Sequence, residues 1–163
     1  MTPYRVVAIS NDIAEKARTT LQSPQYGHPA HVEIANGYGP CRSCLQTFRK
    51  GEEQRLLFTF NPFEGLDSYP SPGPVFIHRE TCRRYEEPGF PAALRELPLT
   101  FEAYGRGRWL VARERIARSD VEGAIGRLFA HAAVEYIHVR NSDAGCYIAR
   151  IERLPEEAVL TTE

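Results

Sequence analysis

Two tight pairs of residues constrain this chain more than anything else in it. Gly37-Tyr38-Gly39-Pro40-Cys41-Arg42-Ser43-Cys44 carries two thiols at Cys-x-x-Cys spacing, and His78 and Cys82 follow as a second pair. Gly and Pro keep the first pair out of helix and strand, so its sulfurs sit on a loop. Zn²⁺ takes thiolates and imidazoles in a tetrahedron, and structural sites fill all four positions. A turn lets Cys41 and Cys44 reach one ion. A strand end followed by a helical turn lets His78 and Cys82 do the same. The two pairs meet only if the strand-like segments at 55–60 and 75–77 are neighbours.

The expected cofactor is therefore zinc, held by Cys41, Cys44, His78 and Cys82. Three thiolates and one imidazole leave no open position for water, which disfavours hydrolysis at the metal. Two other readings compete. The thiols could pack as small hydrophobes, with His78 hydrogen-bonded at a strand edge. Alternatively, Cys41 and Cys44 form a redox pair. Such a pair usually opens a helix whose N-terminus lowers the thiol pKa. Gly-Pro before the pair and Leu45-Gln46-Thr47 after it do not build that helix.

The remaining pattern is α+β, with a largely antiparallel sheet. A chain of 163 residues favours one domain with a real core, expected over 1–153 with a tail at 154–163. Val6-Val7-Ala8-Ile9 reads as a short strand. Ser10, Asn11 and Asp12 are competent N-caps for a helix over 13–21, where Ile13, Ala14, Ala17 and Leu21 recur at helical spacing. His31 to Ala35 alternates as a strand. Residues 55–60 are apolar and aromatic throughout, the mark of a strand covered on both faces. Residues 68–74 form an irregular connection stiffened by Pro. One or two helical turns are expected over 81–85 and another over 91–97. Residues 99–104 and 109–112 flank Gly105-Arg106-Gly107 as a hairpin. Asp120 caps a helix through Val121, Ile125, Leu128 and Phe129. Residues 134–140 and 146–151 make a second hairpin around a loop rich in turn formers.

Charge narrows the partners. Formal net charge is −1, so no global field draws the chain to nucleic acid or anionic lipid. Positive charge is almost all Arg, with Lys only at Lys16 and Lys50. That bias reflects genome composition or, more pointedly, anion binding by the planar guanidinium fork. The N-terminal residues show no secretory pattern, and no apolar run approaches the roughly 20 residues that span a bilayer. The expected setting is the cytoplasm.

A second constellation lies on the 134–140 strand. Period two places Tyr136, His138 and Arg140 on one face and Ile137 and Val139 on the other. With Asn141 and Cys146 around the turn, and Arg42 elsewhere, they are candidate ligand-binding residues for a small anion: Arg140 as the fork, His138 as donor or proton carrier. The alternative is a solvated sheet face with cross-strand pairs such as Tyr136 with Arg150. Pairing Arg140 with Cys146 would set His138 opposite Ile148, which separates His138 from the Cys146 thiol and disfavours a catalytic dyad. Cys146 is then either a rival to His78 as the fourth metal ligand or a buried thiol.

Several of these segments carry a resemblance. Gly39-Pro40-Cys41-Arg42, Gly51-Glu52-Glu53 leading into Leu56-Leu57, Gly73-Pro74-Val75-Phe76, Tyr136 to Asn141, and Gly145-Cys146-Tyr147-Ile148-Ala149-Arg150-Ile151-Glu152-Arg153 fall in order. Together they resemble the bacterial family catalogued as domain of unknown function 1203. The resemblance implies a small single-domain protein and brings no activity. It also implies that Cys41, Arg42, His138, Asn141 and Cys146 are general positions, while Cys44 and the His78/Cys82 pair belong to a subset. Three functions are weighed: a binding or regulatory domain stabilised by zinc, an enzyme acting on a small anionic substrate at the Arg/His/Asn residues, and a thiol redox protein using Cys41/Cys44.

Overall fold

The computed structural model describes residues 3–63, 73–117 and 120–154. In chain order its elements are β1 (Tyr4–Val7), α1 (Asn11–Thr20), β2 (His31–Ile34), β3 (Gln54–Phe60), β4 (Gly73–His78), β5 (Leu99–Tyr104), β6 (Leu110–Arg115), α2 (Val121–Phe129), β7 (Tyr136–Asn141) and β8 (Tyr147–Arg153). This is the expected α+β class, and every strand pair is antiparallel. The strands form two sheets, ordered β2-β3-β4 and β1-β8-β7-β5-β6. The first sheet belongs to a compact unit over Ala8–Tyr85, the second to a unit built from the described residues on either side of it. Residues 68–72 of the irregular connection, and the tail after 154, lie outside the described residues.

In the three-stranded unit, α1 starts where Ser10 Oγ accepts the Ile13 N–H at 3.2 Å. It buries Ala14, Ala17 and Arg18. β3 is central, and Leu56, Phe58, Phe60, Val75 and Ile77 are buried in β3 and β4. The β3–β4 register ends with Arg55 opposite His78. It therefore returns His78 to the end of β3 where the chain arrives from the cysteine loop. No helix forms over 81–85, contrary to expectation. Its flanking donors are used elsewhere: Arg79 N–H bonds Gln54 O at 3.1 Å and Tyr85 N–H bonds Ser43 O at 2.9 Å.

The five-stranded unit has one apolar face. Val6, Phe101, Ala103, Ile137, Val139, Ala149 and Ile151 are buried there, facing each other by register. α2 buries its own stripe of Val121, Ala124, Ile125, Leu128 and Phe129. Arg153 of β8 closes the end of that helix, donating to Phe129 O at 2.8 Å and to Val134 O at 3.0 Å. The β5–β6 hairpin forms as expected, with strand β6 starting one residue after Trp109. Trp109 stands at its tip, 75% exposed.

The β7–β8 register departs from expectation. A bulge between Val139 and Arg140 pairs Arg140 with Tyr147 and His138 with Arg150, not with Cys146 and Ile148. The turn is one residue longer than a simple closure because Asn141 Oδ1 accepts the N–H groups of Asp143 and Ala144, each at 2.9 Å. Among the described residues, no helix is long and apolar enough to cross a membrane.

Candidate metal centre

The cysteine loop is shaped by its backbone. Gly39 has φ +112°, and a Cβ there would lie 2.5 Å from the Phe48 ring, so the position requires glycine. Cys41 N–H bonds Gln46 O and Leu45 N–H bonds Cys41 O, both at 2.9 Å. Arg42 N–H bonds Phe76 O at 2.9 Å, fastening the loop to β4 two residues before His78. The Arg42 side chain is buried and donates to Pro40 O at 2.7 Å. That bond braces the loop from within.

The loop and the β4 end bring both pairs together. The sulfurs of Cys41, Cys44 and Cys82 and a ring nitrogen of His78 all lie within 4.8 Å of one another. Cys44 Sγ is 3.5 Å from His78 Nδ1, and Cys41 Sγ is 3.8 Å from Cys82 Sγ. Cys41 is fully buried and Cys82 half-buried. No cysteine is in a disulfide.

The surroundings suit a cation. His78 Nε2 is 3.0 Å from Glu53 Oε2. An ionised carboxylate only accepts, so Nε2 carries a proton, which would leave Nδ1 to face an ion with its lone pair. Glu53 is itself fixed, because its Oε1 accepts the Arg49 N–H at 2.7 Å. The Phe48 ring packs 4.7 Å from the imidazole. Arg18, buried on α1, donates to Cys82 Sγ at 3.3 Å and to His78 O at 3.0 Å. His78 N–H adds a bond to Cys41 Sγ at 3.3 Å. Three thiolates and a neutral imidazole around a divalent ion carry one net negative charge, and Arg18 offsets it.

Protonation follows the same logic. Hydrogen bonds to Cys41 and then Cys82 raise His78 to about 10, against the opposing effect of burial. Hydrogen bonds with Cys41 and Cys82, with burial, push Cys44 far above the ordinary thiol range. The same contacts, from Cys41 first and Cys44 second, hold Cys82 well below it. The Arg49 N–H, outweighing burial, lowers Glu53. Metal ligands bind deprotonated, so a divalent ion held here would displace the protons these groups carry.

The other candidate residues occupy the five-stranded unit, apart from Arg42. His138 is fully buried, with the rings of Tyr104, Tyr136 and Tyr147 at 5.1, 5.2 and 4.9 Å. Burial first, then the charges of Arg140 and Arg150, hold it well below its usual range, so it is neutral. Arg140 donates to Glu102 Oε1 at 2.5 Å and to Gly145 O at 3.1 Å. Glu102 also receives Arg113 Nε and Tyr104 OH, both at 3.0 Å. Burial raises Glu102, but the Arg140 charge and these hydrogen bonds together lower it. The face is not solvated at His138, although its outer pairs exist: Arg150 lies over Tyr136 at 6.0 Å. Cys146 is half-exposed on the turn, with Sγ 3.9 Å from Ala144 O, and is not the buried thiol expected.

Sequence reasoning missed Arg18, Glu53 and Glu102. Arg18 left one trace: it sits four residues after Ala14, on the helix stripe that is buried. Glu53 stood out only within the Gly51-Glu52-Glu53 segment of the resemblance, with no role attached, and Glu102 left no trace, because a polar residue on one face of a strand is ordinary.

A family model described as protein of unknown function (DUF1203) matches residues 38–153, a span that includes both ligand pairs and the β7–β8 hairpin. No curated protein and no solved structure matches the chain.

Proposed function

The chain belongs to the DUF1203 family, whose description assigns no function, and from that premise we propose a binding or regulatory domain stabilised by structural zinc. The ion would be held by Cys41, Cys44, His78 and Cys82. The observation that carries this reading is the convergence of three sulfurs and one imidazole nitrogen within 4.8 Å. The Glu53 contact to the far nitrogen of His78 supports it, because a ligating imidazole usually gives its other N–H to a carboxylate. Zinc is favoured over hard cations by the thiolate set, and four protein ligands leave it no catalytic position.

The test is the metal content of untagged protein by mass spectrometry, with thiol counts before and after chelation. Zinc equimolar with chain, and three thiols newly titrating after chelation, would support the site. Metal-free protein with freely titrating thiols would remove it.

A further inference from the structure

The four ligand atoms are not equivalent. Cys44 Sγ is drawn to His78 Nδ1 at 3.5 Å, while Cys41 Sγ faces Cys82 Sγ at 3.8 Å. The two sulfurs of the second contact come from opposite ligand pairs. They also differ in access: Cys82 is half-buried and Cys41 is fully buried. Arg18 Nη2 adds a cationic hydrogen bond to Cys82 Sγ at 3.3 Å. An accessible sulfur beside a cation, with a second sulfur 3.8 Å away, is the arrangement a reactive and a resolving cysteine need.

We propose that Cys82 and Cys41 form an oxidation site for small hydroperoxides, with Cys82 as the reacting thiol and Cys41 as the resolving one. The Cys82 thiolate attacks one oxygen of the hydroperoxide. The O–O bond breaks, giving a Cys82 sulfenic acid and an alkoxide or hydroxide that takes a proton from water. The Cys41 thiolate then attacks the Cys82 sulfur and expels hydroxide, which is also protonated. In sum, two thiolates, one hydroperoxide and two protons give one disulfide, one water and one alcohol or second water. Both electrons of the O–O reduction come from the two sulfurs.

The outcome differs from closure of the Cys41/Cys44 pair. A Cys41–Cys82 bond joins the cysteine loop to the segment after β4, the same two places the metal would join. It leaves only Cys44 and His78 as ligands, too few for the closed four-coordinate site. The ion is released while the two segments stay tied, so the change is reversible by a thiol reductant. This deepens the zinc reading by making the ion the released signal, but the sulfur chemistry rests on the Cys41–Cys82 approach itself.

The experiment treats the zinc-loaded full chain with hydrogen peroxide in the presence of a zinc-sensitive dye. Disulfides are then mapped by peptide mass spectrometry after thiol blocking. The expected result is zinc release in step with the loss of two thiols, a Cys41–Cys82 crosslink, and recovery with dithiothreitol and zinc. The Cys146 thiol, outside the cluster, serves as the internal reference and should react more slowly. A Cys41–Cys44 crosslink, or zinc retained while Cys146 oxidises first, would overturn the proposal. Protein that carries no zinc yet forms the Cys41–Cys82 bond would remove the zinc reading and sustain this one. Wild-type protein suffices for every arm. A Cys44→Ser variant, if it folds, should still form the same crosslink.

Discussion

The two units each bury a polar cluster, and the clusters are built on opposite principles. In the five-stranded unit, Glu102 faces Arg140, Arg113 and the Tyr104 hydroxyl. Donors and acceptors answer each other, so the cluster is complete in its own atoms. In the three-stranded unit, three sulfurs and an imidazole nitrogen point at one another. All four are electron-pair donors once deprotonated, and Arg18 supplies a fixed positive charge beside them. A buried cluster that closes on itself serves architecture. One made of like groups calls for a cation from outside.

Stripping the metal should break this contrast most severely. Structural zinc contributes on the order of 10 kcal/mol of binding free energy. A chelator should therefore lower the melting temperature of the zinc-loaded protein by more than ten degrees or so, and protect far fewer amides in residues 8–63 from hydrogen exchange. A melt indifferent to chelator would place the three-stranded unit in the same self-sufficient class as its counterpart.

Glu102→Gln attacks the other side. Removing the carboxylate charge leaves Arg140 and Arg113 without their partner, at a cost of about 3 kcal/mol. Urea denaturation should show this loss while zinc content stays unchanged. A fall in zinc content with Glu102→Gln would mean that the clusters are not independent.

Glu53→Gln is milder. The amide can still accept from His78 but no longer fixes its tautomer by charge. Zinc affinity should fall roughly 10- to 100-fold, read by competition with a chromophoric chelator. Unchanged affinity would reduce Glu53 to a surface carboxylate that happens to lie near.

The smallest effect is a slope. His138 is held well below its ordinary value of 6.5 in the folded unit. Its unfolded form takes up a proton as pH falls through 6.5 and its folded form does not. Stability is therefore full above that pH and declines below it, by at most about 1.4 kcal/mol per pH unit. Glu102, lowered from 4.5, extends the decline further into acid by the same sign. His138→Phe should flatten the first part of the decline in denaturation at pH 7.5 to 5. A constant packing offset would not alter the slope, and an unchanged slope would deny the buried neutral imidazole.

What the sequence revealed divides along the same line. The metal cluster was legible because soft ligands at short spacing are rare in chance sequence. Its convergence needed only that residues 55–60 and 75–77 pair, which they do through the Leu56↔Ile77 register. The self-closing cluster was invisible. Arg140 and His138 stood out by type, but Glu102, which engages Arg140 and pairs in register with His138, is one polar residue in an alternating strand. The β7–β8 register was missed for a local reason: Asn141 Oδ1 captures two N–H groups of the turn and shifts the pairing from Cys146 to Tyr147. Residues 81–85 lost their helix because nearby backbone donors bond to β3 and the cysteine loop instead.

Trp109, at the tip of the β5–β6 hairpin, has an optical consequence. It is the chain's single tryptophan and stands 75% exposed. Its emission in the folded protein should already be that of a water-bathed indole. Unfolding will barely move it, and a titration followed by tryptophan fluorescence would report a stable protein as featureless. The near-ultraviolet dichroism of Tyr104, Tyr136 and Tyr147, fixed around His138, is the signal that follows the five-stranded unit. Charge-transfer absorption from cobalt substituted at the sulfurs would follow the other.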